Sequence, residues 1–152
     1  MLYPNVQPAP EAGRRLYRLV EDYSTIWNGR VIRIPAGFLF DGASIPALAW
    51  MLTYTPFHPY IVTAALIHDW IYITHILSRK EADELFKDTA LLHHANKIKV
   101  EAMYRVLRIA GGMAWPVSKE DLRKFQILYD HLKCRFNIEQ FQIPDCLLNE
   151  CT

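Results

Sequence analysis

Two stretches near the start of the chain carry a strand-like pattern. Residues 15–27 (RLYRLVEDYSTIW) and 30–40 (RVIRIPAGFLF) are rich in β-branched and aromatic side chains, with Asn28-Gly29 between them. Both turn residues tolerate positive φ, which a type I′ turn requires, so the pattern predicts a β-hairpin. Pro35 and Gly37 interrupt the second stretch and predict a bulge or bend there. Residues 1–14, with three prolines, read as an extended arm.

The pattern then changes to a helical period. Residues 60–76 are apolar nearly all round, which predicts a central, buried helix. Ser78 and Glu81 have the spacing of a capping box and start a second helix over about residues 79–95. A link this short predicts antiparallel packing of the two. A third helix is expected over 97–110, with Val100, Met103, Tyr104 and Leu107 on one face and Gly111-Gly112 as its stop. Ser118 is placed to cap a fourth, with Leu122, Phe125, Tyr129, Leu132 and Phe136 as its apolar stripe. Ser44 reads as the cap of a short helix over 47–52. The fold class is therefore α+β: a small antiparallel N-terminal hairpin or sheet packed on a mainly helical body. With 152 residues, the expectation is a single domain: arm 1–14, core 15–136 and an irregular tail 137–152.

Composition narrows the function classes. The formal net charge is +1 and basic residues are scattered, so no nucleic-acid partner is expected. Cys134, Cys146 and Cys151 are odd in number and lack Cys-x-x-Cys spacing, which reads as free thiols in a reducing compartment. The first residues lack the basic head and apolar run of a signal peptide. Residues 42–67 contain no Asp, Glu, Lys or Arg, but Pro46, Pro56 and Pro59 break the run. A membrane-spanning helix is therefore not expected. The same segment could present an apolar face to a lipid surface, to the sheet or to a second subunit.

The candidate chemistry lies in residues 64–88 (AALIHDWIYITHILSRKEADELFKD). His68, Asp69 and Tyr72 sit on an otherwise apolar helix. Burying an imidazole beside a carboxylate costs several kcal/mol unless both are paired (about 2–7 for each unpaired polar group). His68 and Tyr72 are one turn apart, whereas Asp69 is rotated by about 100°. The two polar groups should therefore meet different neighbours. Asp83, one turn into the next helix, is placed either to hold the His68 ring or to stand exposed as a first-turn acid. The loop around Gly37 and Gly42 permits tight backbone turns. Asp41, with Asp69, offers oxygen ligands to a hard cation such as calcium. Ser44 reads as a nucleophile activated by His68 or, more simply, as the helix cap. A structural reading of the whole set, with His68 and Asp69 pinning the loops packed on them, stays open beside the chemical one.

Four ordered boxes give a resemblance that covers about residues 15–115. They are Gly37-Phe-x-x-Asp-Gly-Ala-Ser-x-Pro46, His68-Asp-Trp-x-Tyr72, Ala82-Asp-x-x-Phe86 and Gly111-x-x-x-Trp115. The array resembles a family of phage and prophage proteins carrying a domain of unknown function. It implies a phage origin, with a place in the host cytoplasm or the virion and a phage or host protein as partner. More locally, His68-Asp69-x-x-Tyr72 followed by Asp83 is similar to the catalytic helices of phospholipases A2. That likeness implies His68 as the base that activates water, Asp83 as its orienting acid and Tyr72 as support for Asp83. It also implies calcium on Asp69 and on carbonyls near Gly42, with a lipid ester as substrate. The upstream Phe-Asp-Gly-Ala-Ser loop departs from the glycine-rich calcium loop of those enzymes. Two alternatives accompany the hydrolase: a non-enzymatic virion or host-interaction protein, which could be oligomeric, and a metal-dependent phosphohydrolase using His58 with His68-Asp69.

Overall fold

The computed structural model describes residues 3–10, 12, 16–41, 54–55, 57–116, 126 and 128. Gly42, Ser44, the expected short helix over 47–52 and the three cysteines lie outside the described residues. So does the expected fourth helix, apart from Gln126 and Leu128. Among the described residues the order is β1 (Val6–Pro8), β2 (Tyr17–Leu19), β3 (Tyr23–Trp27), β4 (Arg30–Ile34), β5 (Leu39–Phe40), α1 (Val62–Thr74), α2 (Arg79–Leu92) and α3 (Lys97–Ala114). This is the α+β arrangement expected, with antiparallel strands leading into helices.

The hairpin forms at Asn28-Gly29, with φ of 49° and 75° at the two turn residues. β3 and β4 pair from Trp27↔Arg30 back to Tyr23↔Ile34. The single run over 15–27 divides, however, into strands of two different sheets. β3 belongs to the hairpin, while β2 lies between β1 and β5 in a separate antiparallel sheet. The break falls where Asp22 turns its side chain to the opposite bend and accepts a hydrogen bond from the Ala36 amide at 2.8 Å. Gly37, at φ 94°, completes that bend, and its amide donates to the Leu19 carbonyl at 2.7 Å. Val6–Pro8 of the proline-rich arm forms β1, in register with β2 from Val6↔Leu19 to Pro8↔Tyr17.

α1 is buried on nearly every side, as an all-round apolar helix must be to keep its surface from water. On one side, Leu66, Ile67, Trp70 and Ile71 pack against Leu19, Ile32, Ile34, Phe38 and Phe40 of the strand layer. The Phe38 and Trp70 rings meet edge to face at 5.1 Å. On the other side, Ile61, Ala64 and Ala65 pack with Phe86 and Ala90 of α2 and with Val100, Met103 and Leu107 of α3. The helix begins and ends slightly inside its expected bounds, closing on His75 in the left-handed region at φ 52°. α2 starts at the Ser78–Glu81 capping box. No helix among the described residues is long and apolar enough to cross a membrane.

The end of α3 differs from expectation. Gly111-Gly112 does not stop the helix, which continues to Ala114. A helical glycine costs only about 1 kcal/mol relative to alanine, and at Gly111 the missing side chain is what packing requires. A Cβ there would lie 2.5 Å from the Tyr72 hydroxyl. Gly112, by contrast, has nothing within 4 Å of the same position. The two neighbours should therefore respond oppositely to alanine. Gly111→Ala is expected to destabilise by about 1–3 kcal/mol through overpacking, whereas Gly112→Ala should stabilise by about 0.5–1 kcal/mol through helix propensity. Urea denaturation of the two variants measures both signs. Equal shifts would remove the close approach as the reason for Gly111.

Candidate functional site

Helix geometry assembles the site from three elements. On α1, His68 and Tyr72 stand one turn apart with ring centroids 4.1 Å from each other. Just past the first turn of α2, Asp83 is presented to both. The His68 Nε2 lies 2.9 Å from Asp83 Oδ1, and the Tyr72 hydroxyl donates to the same oxygen at 2.8 Å. From α3, Arg108 Nη1 donates to the other carboxylate oxygen, Oδ2, at 2.7 Å. Arg79 stands farther off, with Nη1 3.9 Å from Oδ2, and donates to the Leu107 and Arg108 carbonyls at 3.4 and 3.2 Å.

Asp83 is wholly enclosed, at 0% exposure, so it is not an exposed first-turn acid. Burial opposes its charge, yet the hydrogen bonds from His68, Arg108 and Tyr72 hold its carboxyl below the usual carboxylate value. His68 shows the complementary balance. Burial disfavours the imidazolium, but Asp69 and Asp83 together outweigh it and raise the ring above the ordinary histidine value. Burial and the Asp83 carboxylate push the Tyr72 phenol well up, so it stays a proton donor. An ionised carboxylate only accepts. Nε2 is within bonding distance of Asp83 at 2.9 Å, whereas Nδ1 stands 4.0 Å from the second carboxylate, Asp69, so the geometry of neutral His68 favours the proton on Nε2.

A cavity of about 130 Å³ adjoins the ring, with Asp41, His68, Asp69 and Tyr72 among its lining residues. Its remaining wall is apolar, including Phe40, Ile73, Leu107 and Ala110. Asp69 Oδ1 stands 4.0 Å from His68 Nδ1. The structure thus places His68, Tyr72 and Asp83 in mutual contact and brings Asp41 and Asp69 to the same cavity. Gly37 serves the bend between β4 and β5 and does not line the cavity. His58 does not reach it either: its ring packs against Tyr54 at 4.5 Å, and its Nδ1 accepts from the Tyr60 amide at 3.3 Å. His93, at the end of α2, is buried and packs on Tyr3 at 4.5 Å.

Sequence reasoning missed Arg108, because its partner lies 25 residues earlier. The available signal was charge balance: a carboxylate buried among apolar neighbours requires a cation or several donors. Among the described residues, no group of three or more His, Cys, Asp or Glu is disposed to hold a metal. Asp41 and Asp69 supply two carboxylates to the cavity, whereas calcium takes about six to eight oxygens. The balance would have to come from carbonyls and water.

A family model described as "Protein of unknown function (DUF1353)" matches residues 17–107. That span includes His68, Asp69, Tyr72 and Asp83 and ends one residue before Arg108. An uncharacterized protein of Sinorhizobium fredii, y4iH, is 35% identical over 75 residues, which is 49% of this chain and 31% of that protein. The chain thus spans well under half the length of this curated relative. No solved structure matches the chain.

The ion pair makes stability depend on pH from both sides. Asp83 titrates below its unfolded value, so its contribution is complete above about pH 4 and is lost as pH falls through the depressed folded value. His68 titrates above its unfolded value, so its contribution is complete below about pH 6.5 and is lost as pH rises through the raised folded value. Chemical denaturation across pH should show greatest dependence on the pair between those limits. Asp83→Ala should cost about 3–5 kcal/mol there, because it strands buried donors. A loss under about 1 kcal/mol would contradict the enclosed network.

Proposed function

The chain belongs to the DUF1353 family, whose description assigns no activity, and from the site itself we propose that it is a hydrolase of esters with an apolar acyl group, with His68 as general base. One observation carries this reading: His68 is held through Nε2 by a buried carboxylate while the ring borders a cavity walled by apolar side chains and two further acids. A base needs a fixed tautomer, a partner for the imidazolium and room for substrate. In the proposed reaction a water in the cavity gives a proton to Nδ1 as its oxygen attacks the ester carbon. The C–O bond to the leaving alcohol then breaks, and the alkoxide takes the proton back from His68. Asp83 stabilises the transient imidazolium, and Tyr72 holds Asp83. Asp41 and Asp69 would hold a hard cation such as calcium, with further oxygens from main-chain carbonyls or water. When bound, that cation would supply Lewis-acid stabilisation of the oxyanion. The substrate class, a lipid ester at a lipid surface, follows the phospholipase likeness and agrees with the apolar wall. The ordered boxes support a phage or prophage origin, with action in the host cytoplasm or from the virion.

A second reading has its own support. Asp83 receives donors from α1 and α3 at once, which is also how a purely structural cross-brace is built. In that reading the protein is a virion or host-interaction component without catalysis.

The readings separate on substitution of the base. His68→Gln is expected to keep the far-ultraviolet dichroism of the parent and to lower fatty-acid release from phospholipid vesicles or soluble esters by about 10²–10⁴-fold. Undiminished release would dismiss His68 as base. No release by the parent, with and without calcium, would favour the cross-brace. Calorimetry with calcium should give binding heat that Asp69→Asn abolishes. Absence of heat with the parent chain would remove the cation from the proposal.

A further inference from the structure

The two oxygens of the Asp83 carboxylate have separate tasks. Oδ1 takes the His68 Nε2 at 2.9 Å and the Tyr72 hydroxyl at 2.8 Å. Oδ2 takes Arg108 Nη1 at 2.7 Å. The carboxylate is joined to its chain by a soft torsion between an sp³ and an sp² carbon, which alone does not fix the plane of the group. A strong charge-assisted bond on one oxygen fixes that plane and thereby aims the other. Arg108 is itself held. Its backbone carbonyl accepts from Arg79 at 3.2 Å, and its helix is brought close to α1 where Gly111 meets the Tyr72 hydroxyl.

We propose that Arg108 is a positioning residue, which by holding Oδ2 of Asp83 keeps Oδ1 on His68 and so keeps the Nδ1 edge of the ring turned toward Asp69 and the cavity, where it takes a proton from a water. The inference rests on the hydrolase reading for its catalytic part and on the geometry alone for its positioning part. Arg108 is not among the residues lining the cavity; it acts through Asp83. Without it, Asp83 can turn about its own torsion, His68 can share its proton between both nitrogens, and Nδ1 is a base only part of the time.

The test uses the full chain with nitrogen-labelled histidine, observed by NMR at a pH where the His68 ring is neutral. The parent should show a single tautomer with the proton on Nε2. Arg108→Met should show a mixture, with kcat for ester hydrolysis lowered by about 10–100-fold and KM little changed, as expected when orientation rather than binding is lost. Arg108→Lys, which keeps the charge without the planar fork, should recover part of both signals. Arg105→Met is the control, since Arg105 pairs with Glu101 on the exposed side of the helix. It should leave the His68 signal as in the parent. An unchanged single tautomer in Arg108→Met overturns the proposal. Should that variant not fold, Arg108→Gln is read the same way. A parent chain without esterase activity sinks the hydrolase reading alone, because the tautomer still decides whether Arg108 positions the ring.

Discussion

Everything near the cavity depends on keeping one carboxylate charged where water cannot reach it. Asp83 is fully enclosed, and an ion in that setting would neutralise itself unless surrounded by donors. An imidazole, a phenol and a guanidinium supply them. The donors come from the helices before and after its own, so the requirement to solvate one charge also dictates how α1, α2 and α3 must lie. The apolar clusters bring the helices together, but they tolerate sliding far better than a carboxylate with three directed partners does.

Much of the architecture was legible because short-range rules decide it. Asn28-Gly29 could hardly be anything but a tight turn, and the Ser78–Glu81 pair marked the start of α2 to the residue. The all-round apolar character of residues 60–76 correctly marked α1 as the centre of the core. What failed needed long-range information. The run over 15–27 has uniform strand propensity, and its division between two sheets depends on Asp22 bonding across to Ala36. From sequence alone Gly111 reads as punctuation, because glycine commonly ends helices. Its real constraint is the Tyr72 hydroxyl, 39 positions earlier in the sequence.

The site divided the same way. His68, Asp69 and Tyr72 announced themselves as polar residues on a greasy helix, and helical spacing put His68 and Tyr72 on one face. Whether Asp83 would reach them turned on an axial offset of a few ångströms between antiparallel helices, which spacing alone leaves open. Arg108 gave no local sign, since an arginine on an amphipathic helix ordinarily faces solvent.

α2 also anchors the hairpin. Arg30 beside the turn bonds Glu81 at 3.1 Å, and Trp27 donates to Asp88 at 3.0 Å. Glu81 is at the same time the acid that closes the helix cap with Ser78, and Asp83 follows two residues later. One helical turn is therefore the shared abutment of a surface ribbon and of the buried charge. A force that tugs the ribbon away from the body would load the same few peptide units that set the height of the carboxylate beneath the imidazole.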